Sequence, residues 1–394
     1  MTTFETAKAM GNSALAEKIK AASLMEYGLY REPLTDRLAR CGQEGTTPDV
    51  YAGLNNADLD GVLLKLLKEK TEQVLSGIEI AGMLTGAEKK FLYLPEAETE
   101  TADQIKEQAE AHGITVVNDI INVRDAEDSL MLHIATAADL ADLVDGHYEE
   151  GIYIALPDGN LKKVPAQIAV SDLVSLEGAK AVYTGYQYYT PEEAAGLKAE
   201  DVKNGVIRVL TEKDCIVSEA AKTLLKDRTV SCGRCVFCRE GLIQLEYMQK
   251  EVTQARGKTD YLELTKEIGE AMKDSTLCSI GQESAKIALT AIEKFPEEYQ
   301  AHIKKNKCPA GVCGAFVHIY IDPQICQGCG ECMDVCPKDC IDGKAKYIHM
   351  IDEFECTKCG KCIEACEEDA IIQTAGKLPK LPNRLVKVGK FKKH

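Results

Sequence analysis

Cys326-Gln327-Gly328-Cys329-Gly330-Glu331-Cys332-Met333-Asp334-Val335-Cys336-Pro337 is followed, twenty residues past Cys336, by Cys356-Thr357-Lys358-Cys359-Gly360-Lys361-Cys362-Ile363-Glu364-Ala365-Cys366. Both runs read Cys-x2-Cys-x2-Cys-x3-Cys; proline closes the first, and Glu367 stands in its place in the second. Spacers this short let backbone wrap closely around a compact inorganic core. Gly328, Gly330 and Gly360 relax the steric limits next to the sulfurs. A pair of zinc knuckles would instead show two cysteine pairs and a longer spacer. Eight thiolates at this spacing predict two [4Fe–4S] clusters and one-electron chemistry.

The double run resembles the bacterial two-cluster ferredoxins, in which the fourth cysteine of each motif ligates the other cluster. That resemblance implies one cluster on Cys326, Cys329, Cys332 and Cys366, and a second on Cys356, Cys359, Cys362 and Cys336. Glu367 adds negative charge beside Cys366.

Outward from there, 394 residues allow two to four domains. Of seventeen cysteines only Cys41 precedes residue 215, and twelve of the others sit in metal-type spacings, so a disulfide scaffold is not indicated. No run approaches the roughly 18 apolar residues of a membrane span. The start, Met1-Thr2-Thr3-Phe4-Glu5, lacks a signal-peptide pattern. The expectation is a cytoplasmic protein without a membrane span. A net charge of −16 disfavours nucleic acid as a partner. One segment breaks that balance: Lys377 to Lys393 carries seven basic residues and no acidic one. A solvated tail and a strap docking on an acidic neighbouring subunit both fit it.

Upstream, apolar residues between Asp60 and Gly86 recur at helical spacing. Phe91–Leu94 reads as a strand, Thr101–His112 as a charged helix and Ile114–Val117 as the next strand, an alternation that predicts an α/β layer with at least partly parallel pairing. From Gly151 to Gly185 the texture turns to short strands around Pro157-Asp158-Gly159. From Ser218 to Ile303 it is helical, with a break at Phe295-Pro296-Glu297.

That helical stretch holds Ser231-Cys232-Gly233-Arg234-Cys235-Val236-Phe237-Cys238, and forty residues beyond Cys238 lies Leu277-Cys278-Ser279. Three close cysteines and a remote fourth supply the ligands of a third [4Fe–4S] cluster, with zinc as the alternative. The segment resembles the cluster-binding helical domain of the NADH-binding flavoprotein subunit of respiratory complex I. It is similar also to the β subunits of NAD(P)-linked and electron-bifurcating [FeFe] hydrogenases, which continue into a Cys-Pro-Ala-Gly-Val-Cys element and a two-cluster ferredoxin. Here Cys308-Pro309-Ala310-Gly311-Val312-Cys313 and Tyr320-Ile321-Asp322-Pro323 do likewise. The likeness is strong from Val206 to Ile372 and includes Asp214-Cys215-Ile216-Val217, where the family has a buried, non-ligand cysteine.

The family's FMN loop, of the form GRGGAGFP, has no counterpart. Its nearest candidate, Gly28-Leu29-Tyr30-Arg31-Glu32-Pro33-Leu34, keeps only the first glycine and places Glu32 where a phosphate would sit. The NADE element survives as Asn56-Ala57-Asp58-Leu59. The AGAYICGEE element has only a weak match at Ala138–Gly146, although Leu75–Met83 still resembles the family's helix. The reading is a retained scaffold with an erased flavin and nucleotide pocket, so FMN is not expected.

Cys308 and Cys313 read either as a packing pair or as ligands or a dithiol. Cys340 reads as packing, Cys41 as a lone thiol, and His318 and His349 fall near the clusters without entering a ligand set. The implied fold class is α/β, with a degenerate flavoprotein-type domain over 1–148 and a small β-rich module of ubiquitin-like or SLBB-like type over 149–200. A helical cluster domain over 201–307, a two-cluster ferredoxin-like domain over 308–372 and a basic tail over 373–394 follow. The implied function is an iron–sulfur electron-transfer component of an anaerobic oxidoreductase complex of hydrogenase or bifurcating type. Its partners would be flavoprotein or catalytic subunits and soluble ferredoxin. The alternative is an FMN-containing NAD(P)H dehydrogenase component with a rebuilt flavin site.

Overall fold

The structure, a computed structural model, describes every residue except Gly28, Tyr30, Gln43, Glu44, Thr46, Gly376, Lys377, Lys393 and His394. Parts of the expected phosphate-loop remnant and both ends of the basic run therefore lie outside the described residues. The chain divides into two units: Met1–Thr211 with Leu224–Ile243 and Glu267–Thr290, and Glu212–Thr223 with Gln244–Lys266 and Ala291–His394.

The first unit begins with α1 (Thr3–Met10), α2 (Asn12–Ala21), α3 (Leu34–Arg40), β1 (Val50–Gly53), α4 (Leu64–Glu69) and α5 (Thr71–Thr85). Then come β2 (Lys90–Leu94), α6 (Thr99–Ala111), β3 (Ile114–Asn118), β4 (Leu130–His133) and α7 (Ile134–Asp145). The four strands pair in the order β3-β2-β1-β4, and every pairing is parallel. The strands at Phe91 and Ile114 and the helix between them match the expectation. The helical stretch from Asp60 to Gly86 is split at Lys70, whose backbone is non-helical at φ −129° and ψ 42°. β1 and β4 leave no mark in the sequence pattern: each has four residues, and β4 runs straight into α7 without a turn signal. Val50, Ala52, Leu92, Leu94, Leu130 and Leu132 bury one sheet face against Val74, Leu75 and Ile78 of α5 and Ala137 and Leu140 of α7. Gly77 is what lets these two helices meet, since a Cβ there would lie 1.8 Å from the Ala137 carbonyl oxygen.

Beyond α7 the texture becomes β-rich as expected. β5 (Ile152–Ala155) and β6 (Leu161–Val164) form an antiparallel hairpin. After α8 (Val170–Leu173), the elements β7 (Ala181–Tyr183), β8 (Tyr188–Tyr189), α9 (Pro191–Ala195) and β9 (Arg208–Leu210) build an antiparallel sheet of order β8-β7-β9. Its last strand lies beyond residue 200.

Five helices follow: α10 (Ile216–Val230), α11 (Val236–Thr253), α12 (Asp260–Ser275), α13 (Ser279–Lys294) and α14 (Pro296–Ile303). Pro296 opens α14 at its first turn, where a missing N–H costs nothing.

The carboxyl-terminal part of the second unit is an internal duplication with a thirty-residue offset. β10 (His318–Ile321) pairs antiparallel with β13 (Ile371–Thr374), and β11 (Ile341–Asp342) with β12 (Met350–Ile351). The short helices α15 (Glu331–Asp334) and α16 (Lys361–Glu364) each start after a left-handed glycine, Gly330 and Gly360. Backbone bonds repeat with the same offset: Cys326 N to Asp322 O and Cys356 N to Asp352 O, then Asp322 N to Ala370 O and Asp352 N to Cys340 O. Cys340 thus holds the place that Ala370 holds in the other half, a small residue buried in the core, as expected.

Candidate metal centres and the adjoining cavity

The upstream set lies in the first unit. Cys232 and Cys235 sit in the loop before α11, Cys238 in the first turn of that helix, and Cys278 directly before α13. Arg239 closes the loop by donating to the Gly233 carbonyl at 3.1 Å, and the Ser231 hydroxyl lies 3.5 Å from the Cys238 sulfur. Burial pushes the Cys238 thiol up to about 11, opposed by Ser231 and reinforced by the charges of Cys278, Cys235 and Cys232. The four thiols therefore share one neighbourhood. As thiolates they would repel one another, a cost that a cationic cluster relieves, so the donor set fits the group. Burial raises Cys278 also, whereas the Ile280 and Gly281 N–H groups at the start of α13 and the Asn56 side chain favour its thiolate.

In the second unit two chambers open between the halves of the duplication. One is lined by Cys326, Cys329, Cys332 and Cys366. The other is lined by Cys336, Cys356, Cys359 and Cys362, with Cys340 on its wall. Each chamber brings together three cysteines of one motif and the fourth of the other. Burial pushes the Cys332 thiol up to about 12, with Cys326 and Cys329 the next causes. The buried His349 places Nδ1 3.8 Å from the Cys326 sulfur, close enough to tune a cluster through its sulfurs. His318 pairs with Glu353, away from both ligand sets.

A fourth cluster of ligands joins residues far apart in the sequence. Cys215, His302, Cys308 and Cys313 are all buried, and their ligating atoms lie within 4.8 Å of one another. Cys215 Sγ is 3.4 Å from His302 Nε2 and 3.5 Å from Cys313 Sγ. His302 Nδ1 bonds to the Glu298 carbonyl oxygen at 2.7 Å, which fixes the tautomer that leaves Nε2 facing the sulfurs. Hydrogen bonds from Cys215 and then Cys313 push the Cys308 thiol below its ordinary range. Three thiols and one imidazole at tetrahedral spacing are the donors of a structural zinc site, where ligand sulfurs about 2.3 Å from the metal stand about 3.8 Å apart. His302 escapes a reading of the sequence alone. The one signal available is its spacing, His302-x5-Cys308-x4-Cys313.

The first unit also holds a cavity of about 350 Å³ where β1 and β4 end, lined by Glu26, Arg37, Asn55, Asn56, His133 and Cys278 among others. The strand order reverses between β1 and β4, and α/β sheets bind ligands in the crevice at such a switch point. Burial pushes the Glu26 carboxyl up to about 7 against the pull of Arg37, and burial pushes His133 down to about 3. Glu32, which would face a phosphate in the family's arrangement, is held by Arg37 Nε at 2.7 Å and Arg40 at 2.7 Å. The Asn56 side chain is tied to the Ile121 backbone, Nδ2 donating to the carbonyl at 2.7 Å and Oδ1 accepting from the N–H at 3.0 Å. Glu26 on the wall, and an Arg37 already paired with Glu26 and Glu32, do not fit a flavin phosphate.

Residues 221–302 match the family described as the NADH-ubiquinone oxidoreductase-F iron-sulfur binding region, and residues 318–367 match the 4Fe-4S dicluster domain. The HndC component of the NADP-reducing hydrogenase of Solidesulfovibrio fructosivorans is 38% identical over 158 residues, which are 40% of this chain and 32% of that protein. An F-type component of NADH-quinone oxidoreductase from Rhizobium meliloti is 30% identical over 105 residues, 27% of this chain and 25% of that one. The alignments thus span about a third or less of these relatives. A crystal structure of NAD+-reducing [NiFe]-hydrogenase in the H2-reduced state superposes with a TM-score of 0.64 at 16% identity, covering 77% of this chain and 65% of that one, a likeness of fold. No helix among the described residues is long and apolar enough to cross a membrane. The chain therefore carries two iron–sulfur binding regions and, over part of its length, is similar to F-type components of NADH-quinone oxidoreductases and to a hydrogenase component.

Proposed function

We propose that the protein is a flavin-free relay component of a cytoplasmic oxidoreductase complex that passes single electrons through three [4Fe–4S] clusters. The clusters would be held by Cys232, Cys235, Cys238 and Cys278; by Cys326, Cys329, Cys332 and Cys366; and by Cys336, Cys356, Cys359 and Cys362. The reading rests on the gathering of twelve cysteines into three quartets, each with the donors that such a cluster takes. When bound, the clusters supply one-electron storage. The protein buries part of each quartet, orients the thiolates through backbone N–H groups and keeps their separation fixed. We assign Cys215, His302, Cys308 and Cys313 to a structural zinc that ties the start of α10 to the segment after α14. Val236, Phe237 and Leu277, next to the first quartet in sequence, are 61%, 53% and 50% exposed, the kind of apolar surface that a partner protein covers.

The missing glycine run and an Arg37 already paired with Glu26 and Glu32 favour this reading over a rebuilt flavin site. Hydride transfer needs a two-electron acceptor, and a cluster takes one electron. The isolated, cluster-loaded protein is therefore expected not to reduce an artificial dye with NADH, while a low-potential reductant still bleaches its clusters. NADH-driven cluster reduction in that preparation would overturn the assignment.

A further inference from the structure

The thirty-residue duplication supplies its own control, because each position of one chamber has a counterpart in the other. Cys326, Cys329, Cys332 and Ile321 correspond to Cys356, Cys359, Cys362 and Ile351. Cys366, Ala370 and Ile371 correspond to Cys336, Cys340 and Ile341. Ligands, flanking isoleucines and the left-handed Gly330 and Gly360 are thus common to both halves. Any difference between the two sites lies in the few positions that do not match.

The charges do not match. Residues 325–334 and 366–370, which frame the first chamber, hold Glu331, Asp334, Glu367, Glu368 and Asp369 and no basic residue. The corresponding 355–364 and 336–340 balance Glu355, Glu364 and Asp339 with Lys338, Lys358 and Lys361. Glu331 and Glu368 line the first chamber, and Lys338, the counterpart of Glu368, lines the second. Lys344, Lys346 and Lys387 are exposed beside Tyr347 and line neither chamber, so solvent screens them. Burial acts in the same sense as the acids, since Cys326 is buried and its counterpart Cys356 only half-buried.

Two further differences offset each other. His349 Nδ1 lies 3.8 Å from the Cys326 sulfur, where the other chamber has Ile319. Cys340 Sγ lies 3.5 Å from the Cys336 sulfur, where the first chamber has Ala370. Each site therefore has one extra polar neighbour on one ligand. A thiolate-bound cluster gains a negative charge on reduction, so uncompensated acids oppose that step and lysines assist it.

We propose that this asymmetry sets the two clusters at different reduction potentials, the one on Cys336, Cys356, Cys359 and Cys362 being the more readily reduced. Glu368 and Lys338 are the residues that set the order. An electron entering the module comes to rest at that site; the site on Cys326, Cys329, Cys332 and Cys366 is oxidised as its neighbour is reduced, with no bond made or broken. This rests on the cluster reading above.

The test is an anaerobic reductive titration of the full-length protein followed by EPR, with the signal that Cys278→Ala removes set aside. Of the other two signals one should appear first, the reduced-to-oxidised ratios differing about tenfold or more, which is about 59 mV for one electron. Mutual repulsion separates even identical centres, so the variants decide. Lys338→Glu should lower the ratio of the earlier signal about threefold and leave the later one nearly unmoved. Glu368→Lys should raise the ratio of the later signal about threefold. Shifts on the opposite signals, reversals that move neither, or two signals that rise together overturn the proposal. Lys338→Gln and Glu368→Gln carry the same signs at smaller size should a reversal fail to load. About twelve irons in each sample leaves the cluster reading intact when the potentials disagree, whereas wild-type protein with fewer shows that the reading itself has failed.

Discussion

A Cys278→Ala protein purified without oxygen should hold about eight irons in place of about twelve and lose one EPR signal while keeping two. Cys278 is the remote member of its quartet, placed directly ahead of α13. Ile280 and Gly281 N–H groups and the Asn56 side chain all favour its thiolate. Alanine removes one of four ligands and leaves those donors without an acceptor. The remaining two quartets fold within a contiguous duplicated segment, with its own strands and its own core. They should be indifferent to the change. Loss of all three signals would mean that the quartets do not assemble independently.

His302→Ala is expected to strip the protein of one zinc per chain and to destabilise it without changing its iron content. The imidazole is buried, its Nδ1 is fixed by the Glu298 carbonyl, and three thiols surround its other nitrogen. Without it the three buried thiols lose the fourth donor of their set. Breaking a buried charged set in this way costs on the order of 3–5 kcal/mol, or about 10 °C in Tm for a domain of this size. Zinc release should also become easier in acid, because the ligands bind deprotonated and protons compete with the metal. Wild-type protein with full iron and no zinc would contradict the assignment, as would a His302→Ala variant that retains the metal.

What the sequence could and could not convey follows from how local each signal is. The two four-cysteine runs are readable because the four cysteines of each lie within ten residues, although each chamber joins three of one run to the fourth of the other. β2 and β3 are readable because β-branched and aromatic residues stand between turn signals. β1 and β4 are not, since four residues ending in glycine or running into a helix give periodicity nothing to act on. Cys215 reads as a packing residue in the sequence because its partners are 87 to 98 residues away. Only the chain's return through α14 brings them together. The basic tail shows its charge but not its register, because the apolar residues that dock it, Val386, Val388 and Phe391, find their partners in a segment about forty residues earlier.

The central claim is a chain with three clusters and no flavin, and iron and flavin measured on one anaerobic sample test it most directly. The expected result is about twelve irons per chain with FMN well below stoichiometric. About one FMN per chain, released on denaturation and paired with NADH-dependent cluster reduction, would contradict it.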